Sequence, residues 1–397
     1  MDFSKLISNR LNGEDFYKNS YYKFEKYSAL KRKYIETHEE DLLDFGIGEG
    51  DDMPPFVALD KLSKEIYKYE NRIYADNGID YFKQTAAIHL KDIYNVEIKD
   101  PINQICHCMG AKSALCILPL SFVSDNDIII STTPGYEVLA NMASWLHGKI
   151  YKVPLLKEND FLPSLDDIPE EIYEKCKILI INYPNNPTGA TATTSFYKKL
   201  IDKALKYNFI IVNDNTYGYF TYNKKPLSIF NDERAFDCAI EIHSMSKIYN
   251  MTGMRIGFVV GNAQMIDIFK KVKDNVDSGH YIPIQLAVSE AILSANKYIE
   301  RLKDKYYKRM KKVCKILNKY NLQCNLSKGT FYLYLKVPPQ FSSSDEFTRF
   351  LLDNSGIFTI PFDEVENYVR LSMTYKIKNT EDEFYEELEN RLKRICK

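Results

Sequence analysis

The chain has 397 residues, with Lys+Arg 53 against Asp+Glu 54, a formal net charge of −1 and a hydrophobic fraction of 45%. That length leaves room for two or three domains around a large core, which excludes a lone small binding module. The balanced charge supplies no global basic field for nucleic acid or anionic lipid, so any partner must be selected locally.

The opening Met1-Asp2-Phe3-Ser4-Lys5-Leu6 is no basic stretch leading into an apolar run. No later segment approaches the roughly 20 apolar residues that span a bilayer. A cytoplasmic protein without a membrane partner is therefore expected. Its 8 cysteines, Cys396 among them, then read as buried thiols rather than a disulfide framework. Cys106 and Cys108 alternate along an expected strand, and the 6 histidines show no paired-ligand spacing, so no metal site is expected.

Residues 1–45 are rich in Tyr and Lys and read as an arm and a first helix that packs with the small domain. From about 104 to 261, short β-branched runs alternate with helical periodicity. Strands are expected at 104–108, 127–131, 149–154, 177–182, 209–213, 238–243 and 255–261, with helices at 111–122, 136–147 and 194–207. This rhythm predicts an α/β domain over 46–285, a mostly parallel sheet flanked by helices with binding residues on loops beyond the strand ends. A smaller α+β domain is expected over 286–397. It holds a charged helix near 297–320, strands near 331–337 and 368–373, and helices near 344–354 and 380–396. The last of these carries its acids early and its bases late, as the helix dipole favours.

Three segments carry chemistry. His243-Ser244-Met245-Ser246-Lys247, eight residues before Arg255, puts a lysine just past a strand among hydroxyls. Desolvation or cationic neighbours would make it an imine-forming amine, and the serines and Arg255 could hold a phosphate. Taken alone, such a lysine reads first as a solvated loop residue, and its setting is what points to chemistry. Asn182-Tyr183-Pro184-Asn185-Asn186-Pro187-Thr188-Gly189 follows an apolar run and reads as a tight turn whose Asn side chains face either backbone or ligand. Asp214 ends the strand before Asn215-Thr216-Tyr217, where it caps the next loop or pairs with a protonated heterocyclic nitrogen.

In this order and spacing the segments resemble the fold type I pyridoxal-phosphate enzymes, specifically the class I/II aminotransferases, from about Asp44 to Arg370. The runs 155–163 and 246–261 and Asp277-Ser278-Gly279 are most similar to LL-diaminopimelate aminotransferases and near relatives. The resemblance implies pyridoxal 5′-phosphate as cofactor and amino transfer between an L-amino acid and a 2-oxo acid by a ping-pong cycle. The narrower likeness implies LL-diaminopimelate and glutamate, in lysine biosynthesis. It further implies that Lys247 binds the cofactor as an imine and moves the α-proton. Asp214 would face the ring nitrogen, Asn186 and Tyr217 the 3′-oxygen, and Tyr136 the ring face. Gly110, Ala111, Lys112, Ser244, Ser246 and Arg255 would hold the phosphate. Tyr74 would reach the cofactor phosphate of a neighbouring subunit, which makes a homodimer with shared sites the active unit. Arg370, on an otherwise apolar strand, would take the substrate α-carboxylate, with Asn186 and Gly48 beside it.

Two positions depart from the relatives: Ala111 stands where a serine often contacts the phosphate, and Gly50 where a proline is common. The stretch 46–52 is not a dinucleotide fingerprint, because GxGxxG spacing fails at Asp51. A lyase, synthase or amino-acid oxidase on the same fold would share Lys247 and Asp214. A nucleic-acid-binding regulator would need an added segment, and residues 1–45 show no helix-turn-helix pattern.

Overall fold

A computed structural model describes residues 3–11 and 23–395. In chain order its strands are β1 (Leu43–Asp44), β2 (Ile105–Cys108), β3 (Ile128–Thr133), β4 (Lys149–Pro154), β5 (Cys176–Asn182) and β6 (Ile210–Asp214). They continue as β7 (Ala239–Ser244), β8 (Gly257–Gly261), β9 (Tyr332–Lys336), β10 (Ile357–Phe358), β11 (Ile360–Phe362) and β12 (Tyr368–Ser372). Seven of them form one sheet in the order β2-β8-β7-β6-β5-β3-β4. Strands β3 to β7 run parallel, and β8 is antiparallel to both β7 and β2. The sheet is thus mixed but mostly parallel, as its β-branched runs predict.

The inner strands β3, β5, β6 and β7 are largely apolar and buried because both faces of the sheet are covered there. In β5, Leu179 and Ile181 enter one core with Phe196, Leu200 and Ala204 of the helix Thr194–Tyr207. Ile178 and Ile180 enter the opposite core with Leu115 and Leu118 of the helix Ala111–Phe122 and Phe269 of Ala263–Lys273. Local chemistry sets several boundaries. Thr193 caps the helix Thr194–Tyr207 by accepting from the Phe196 amide at 3.1 Å, and Asn208 closes it in the left-handed region. The run expected to be strand from 104 starts one residue later, because Asp100 caps a helical turn over Pro101–Gln104. The run expected from 255 begins at Gly257, because Arg255 (φ 53°) lies outside the β region.

Strands β11, β12 and β9 form a separate antiparallel sheet, with Arg370 opposite Tyr334 and Ile360. The helices Asn296–Lys319, Ser344–Ser355 and Glu381–Ile395 complete this region. The last has Glu381, Asp382 and Glu383 in its first turn and Lys393 and Arg394 in its last. Cys396 lies outside the described residues, as do residues 1–2 and 12–22 of the predicted arm. On the helix Lys23–Thr37, Tyr27 and Tyr34 pack with Leu352, Phe358 and Phe362. Strand β1 pairs in parallel with β10, which carries the chain from that helix towards the large sheet. Among the described residues no helix is long and apolar enough to cross a membrane, and no cluster of His, Cys, Asp or Glu could hold a metal.

One interruption of the apolar core lies on β7, where Glu241 is fully buried. Its carboxylate accepts from Asn213 Nδ2 (2.7 Å), Ser228 Oγ (2.7 Å) and the Ile229 amide (3.0 Å), and lies 2.8 Å from His243 Nε2. Burial pushes this carboxyl up, but His243 and the other donors outweigh it and hold the pKa below its ordinary value. Glu241→Leu would strand these groups in the core and should cost roughly 3–5 kcal/mol. The check is a lower urea midpoint at unchanged slope.

Candidate active site

Parallel sheets present ligands to the loops beyond their carboxyl ends. Here β5, β6 and β7 end at Asn182, Asp214 and Ser244, and all three residues line one cavity of about 430 Å³. Register places Asn182 beside Asp214, and Asn182 ties two loops together. Its Nδ2 donates to the Asp214 carbonyl at 2.7 Å, and its Oδ1 accepts from the Asn186 amide at 2.9 Å.

Lys247 sits on the helical turn Met245–Ile248, capped by the Ser244 hydroxyl, which accepts from the Ser246 amide at 3.3 Å. Its Nζ donates to the Gly48 carbonyl at 2.6 Å. Burial lowers its pKa to about 8, with Glu49 opposing and the charges of Arg255 and Arg370 assisting. At pH 7 that makes about a tenth of the amine nucleophilic, against roughly one part in three thousand for an ordinary lysine.

Asp214 is buried, and its Oδ1 accepts from the Thr216 amide (3.1 Å) and hydroxyl (2.6 Å). Burial raises its pKa against the pull of those bonds, and among the described residues it forms no ion pair. Tyr217, also buried, shares a hydrogen bond of 2.8 Å with Tyr332 across to β9. Arg370 is 2% exposed. It donates from Nη1 to Asn186 Oδ1 (2.9 Å) and from Nη2 to the Gly46 carbonyl (3.0 Å), and its guanidinium lies 4.3 Å from the Tyr332 ring centroid.

A cradle for an anion lies at the start of the helix Ala111–Phe122, where Ala111 and Lys112 line the cavity with Ser244, Ser246 and Arg255. Gly110 (φ +74°) caps that helix, and a Cβ there would stand 2.6 Å from Arg255 Nη2. Glycine therefore lets the guanidinium close against the helix end. The departure at Gly50 has a similar cause: a Cβ there would lie 1.4 Å from Asn250 Oδ1, so a proline would require Asn250 to move.

Of the residues expected from sequence, Gly48, Tyr136 and Asn186 complete the cavity lining, and Gly110 lies directly behind Arg255. Tyr74 does not line it and is 81% exposed. Sequence reading missed Asn182, Thr216 and Tyr332, together with Ser28, Lys31 and Asp44 at the rim. One of 30 tyrosines and one of four lysines in a single helix give no signal of their own.

Residues 40–383 match the family Aminotransferase class I and II. The chain is 40% identical over 395 residues to the LL-diaminopimelate aminotransferase of Methanocaldococcus jannaschii, covering 96% of this chain and 94% of that protein. The chain belongs to the class I and II aminotransferases. A second relative, the LL-diaminopimelate aminotransferase of Aquifex aeolicus, is 40% identical over 356 residues, 88% of this chain and 92% of its own. Among solved structures, an aminotransferase from Staphylococcus aureus superposes with a TM-score of 0.86 at 30% identity, covering 98% and 99% of the two chains. The protein is thus a pyridoxal-phosphate-dependent aminotransferase of fold type I. The cavity fits that cofactor on three physical grounds: a lysine with a depressed pKa, a buried carboxylate without a cation of its own, and a helix end closed by Arg255.

Proposed function

We propose that this aminotransferase forms LL-diaminopimelate from tetrahydrodipicolinate with glutamate as amino donor, in lysine biosynthesis. The observation that carries the reading is its 40% identity, over 96% of the chain, to a relative bearing that name. When bound, pyridoxal 5′-phosphate supplies an electrophilic carbon for amines and a ring that accepts the electron pair left at the substrate α-carbon. Lys247 Nζ would hold the cofactor and, when freed by a substrate amine, would be the group that carries the substrate α-proton. The Asp214 carboxylate would face the ring nitrogen and favour its protonated form, an electrostatic role suited to a buried acid.

Asn186 and Tyr217 would hydrogen-bond the 3′-oxygen, the Tyr217 phenol being held by its bond to Tyr332. Tyr136, in the cavity lining, would cover the ring face. The helix end at Gly110, Ala111 and Lys112 would hold the phosphate with Ser244, Ser246 and Arg255, while Arg370 would take the α-carboxylate beside Asn186 and Gly48. Two half-reactions at the same site, one taking the amino group from the donor amino acid and the other giving it to the 2-oxo acid acceptor, would make the cycle ping-pong.

The unit of function in this reading is a homodimer with Tyr74 reaching the partner's cofactor phosphate. It is supported by large exposed hydrophobic and aromatic side chains over the segment 53–74 that ends at Tyr74, namely Met53 (72%), Phe56 (80%), Tyr67 (86%) and Tyr69 (73%). A cytoplasmic setting is in keeping with the free thiols of all seven described cysteines.

The test is the visible spectrum of cofactor-loaded protein on adding LL-diaminopimelate or glutamate singly, with product analysis. A yellow band bleached by each and restored by 2-oxoglutarate supports transamination with these partners. Release of ammonia, a thiol or peroxide instead would assign a lyase or oxidase.

A further inference from the structure

Lys31 and Asp44 form an ion pair at the rim of the cavity that holds Lys247 and Arg370. The pair is built in from both sides. Lys31 lies between Tyr27 and Tyr34 at i, i+4 and i+7 on the helix Lys23–Thr37, one face of which those buried tyrosines press against Phe358. Tyr27 is tied in turn to Asp345 by its hydroxyl. Asp44 is held by the β1–β10 pairing opposite Phe358, and its Oδ1 accepts from the Gly46 amide at 2.9 Å. Gly46 then offers its carbonyl to Arg370 Nη2 at 3.0 Å. A single residue thus couples the rim pair to the arginine assigned to the α-carboxylate and fixes the spacing between them.

We propose that the Lys31–Asp44 pair recognises the far end of a substrate when that end is itself an amino-acid zwitterion, its carboxylate meeting Lys31 and its ammonium Asp44. The inference rests on the reading of LL-diaminopimelate as substrate. The side chains retain 26% and 15% exposure, so each charge is largely desolvated and depends on the other. An entering carboxylate alone would meet Asp44, and an ammonium alone would meet Lys31, at a like-charge cost. A zwitterion exchanges one pair for two without burying net charge, so the pair selects for a complete amino-acid head and against either half.

The experiment compares kcat/KM for LL-diaminopimelate, L-lysine, which lacks the far carboxylate, and L-2-aminopimelate, which lacks the far ammonium. Wild-type protein should prefer LL-diaminopimelate to each by at least about tenfold, expressed in KM. Lys31→Met should collapse the preference over lysine, and Asp44→Asn the preference over aminopimelate. Lys31→Arg, which keeps the charge, should restore the first, and circular dichroism of every variant verifies folding. If both variants lower all three substrates by a common factor, the pair is structural and the proposal falls while the substrate stands. A wild-type enzyme that transaminates other amino acids but shows no preference for LL-diaminopimelate removes the substrate reading, and the pair's role with it.

Discussion

Lys247→Ala should lower steady-state transamination by at least about 10⁴-fold, the scale of general acid–base work alone, because one amine serves as both anchor and proton carrier. Borohydride reduction of cofactor-loaded wild type followed by peptide mapping should mark Lys247, and the variant should give no labelled peptide. The fold should survive, since the removed ammonium donates to the Gly48 carbonyl and its burial is unfavourable. The sign of the stability change can be worked out. With a pKa of about 8 in the folded chain and an ordinary value when unfolded, the unfolded state binds more protons between those limits. The penalty on the wild type is full below pH 8 and disappears as pH rises towards 10.5, the ordinary value. Cofactor-free Lys247→Ala should therefore be the more stable protein at pH 7, and the gap should narrow markedly by pH 10, read from urea midpoints at both pH values. Retained turnover, or a label on another lysine, would remove Lys247 from its role.

What the sequence made legible follows from how local each cause is. β5 was readable because a strand buried on both faces tends to a continuous apolar run, and Ile178–Ile181 is one. The arrangement of Lys247, Asp214 and Asn186 was readable because each follows its strand within a few residues, and a parallel sheet gathers such ends by its topology. Arg370 was readable as an arginine on an apolar strand. The bond between Tyr217 and Tyr332 was not, because it depends on how β9 stands against the loop after β6, over a separation of 115 residues. The same holds for Lys31 and Asp44: β1 is two residues long, and its pairing with β10 carries no periodicity to detect. The strand starts at Ile105 and Gly257 were misjudged by one or two residues, where a cap at Asp100 and a left-handed Arg255 overrode β-propensity.

Arg370→Ala should lower kcat/KM for α-amino acids by about 30-fold to several thousand-fold, the range for truncating one partner of a desolvated charge pair at 2–5 kcal/mol. The effect should fall mainly on KM, because the α-carboxylate is bound in ground and transition state alike. Part of any loss will be structural: the side chain also satisfies Asn186 Oδ1 and the Gly46 carbonyl, both within the cavity wall. Two measurements separate the contributions. Arg370→Lys keeps the charge but loses the planar fork, so it should fall between wild type and alanine if carboxylate binding dominates. A primary alkylamine of matched chain length, reacted with the cofactor-loaded protein, lacks the carboxylate and should lose far less than the amino acid on Arg370→Ala. The ratio of the two losses measures the carboxylate contribution directly, since distortion of the cavity weakens both ligands while the missing fork weakens only one. Equal losses would make Arg370 a brace for Asn186 and Gly46 and leave the α-carboxylate to another group in the cavity.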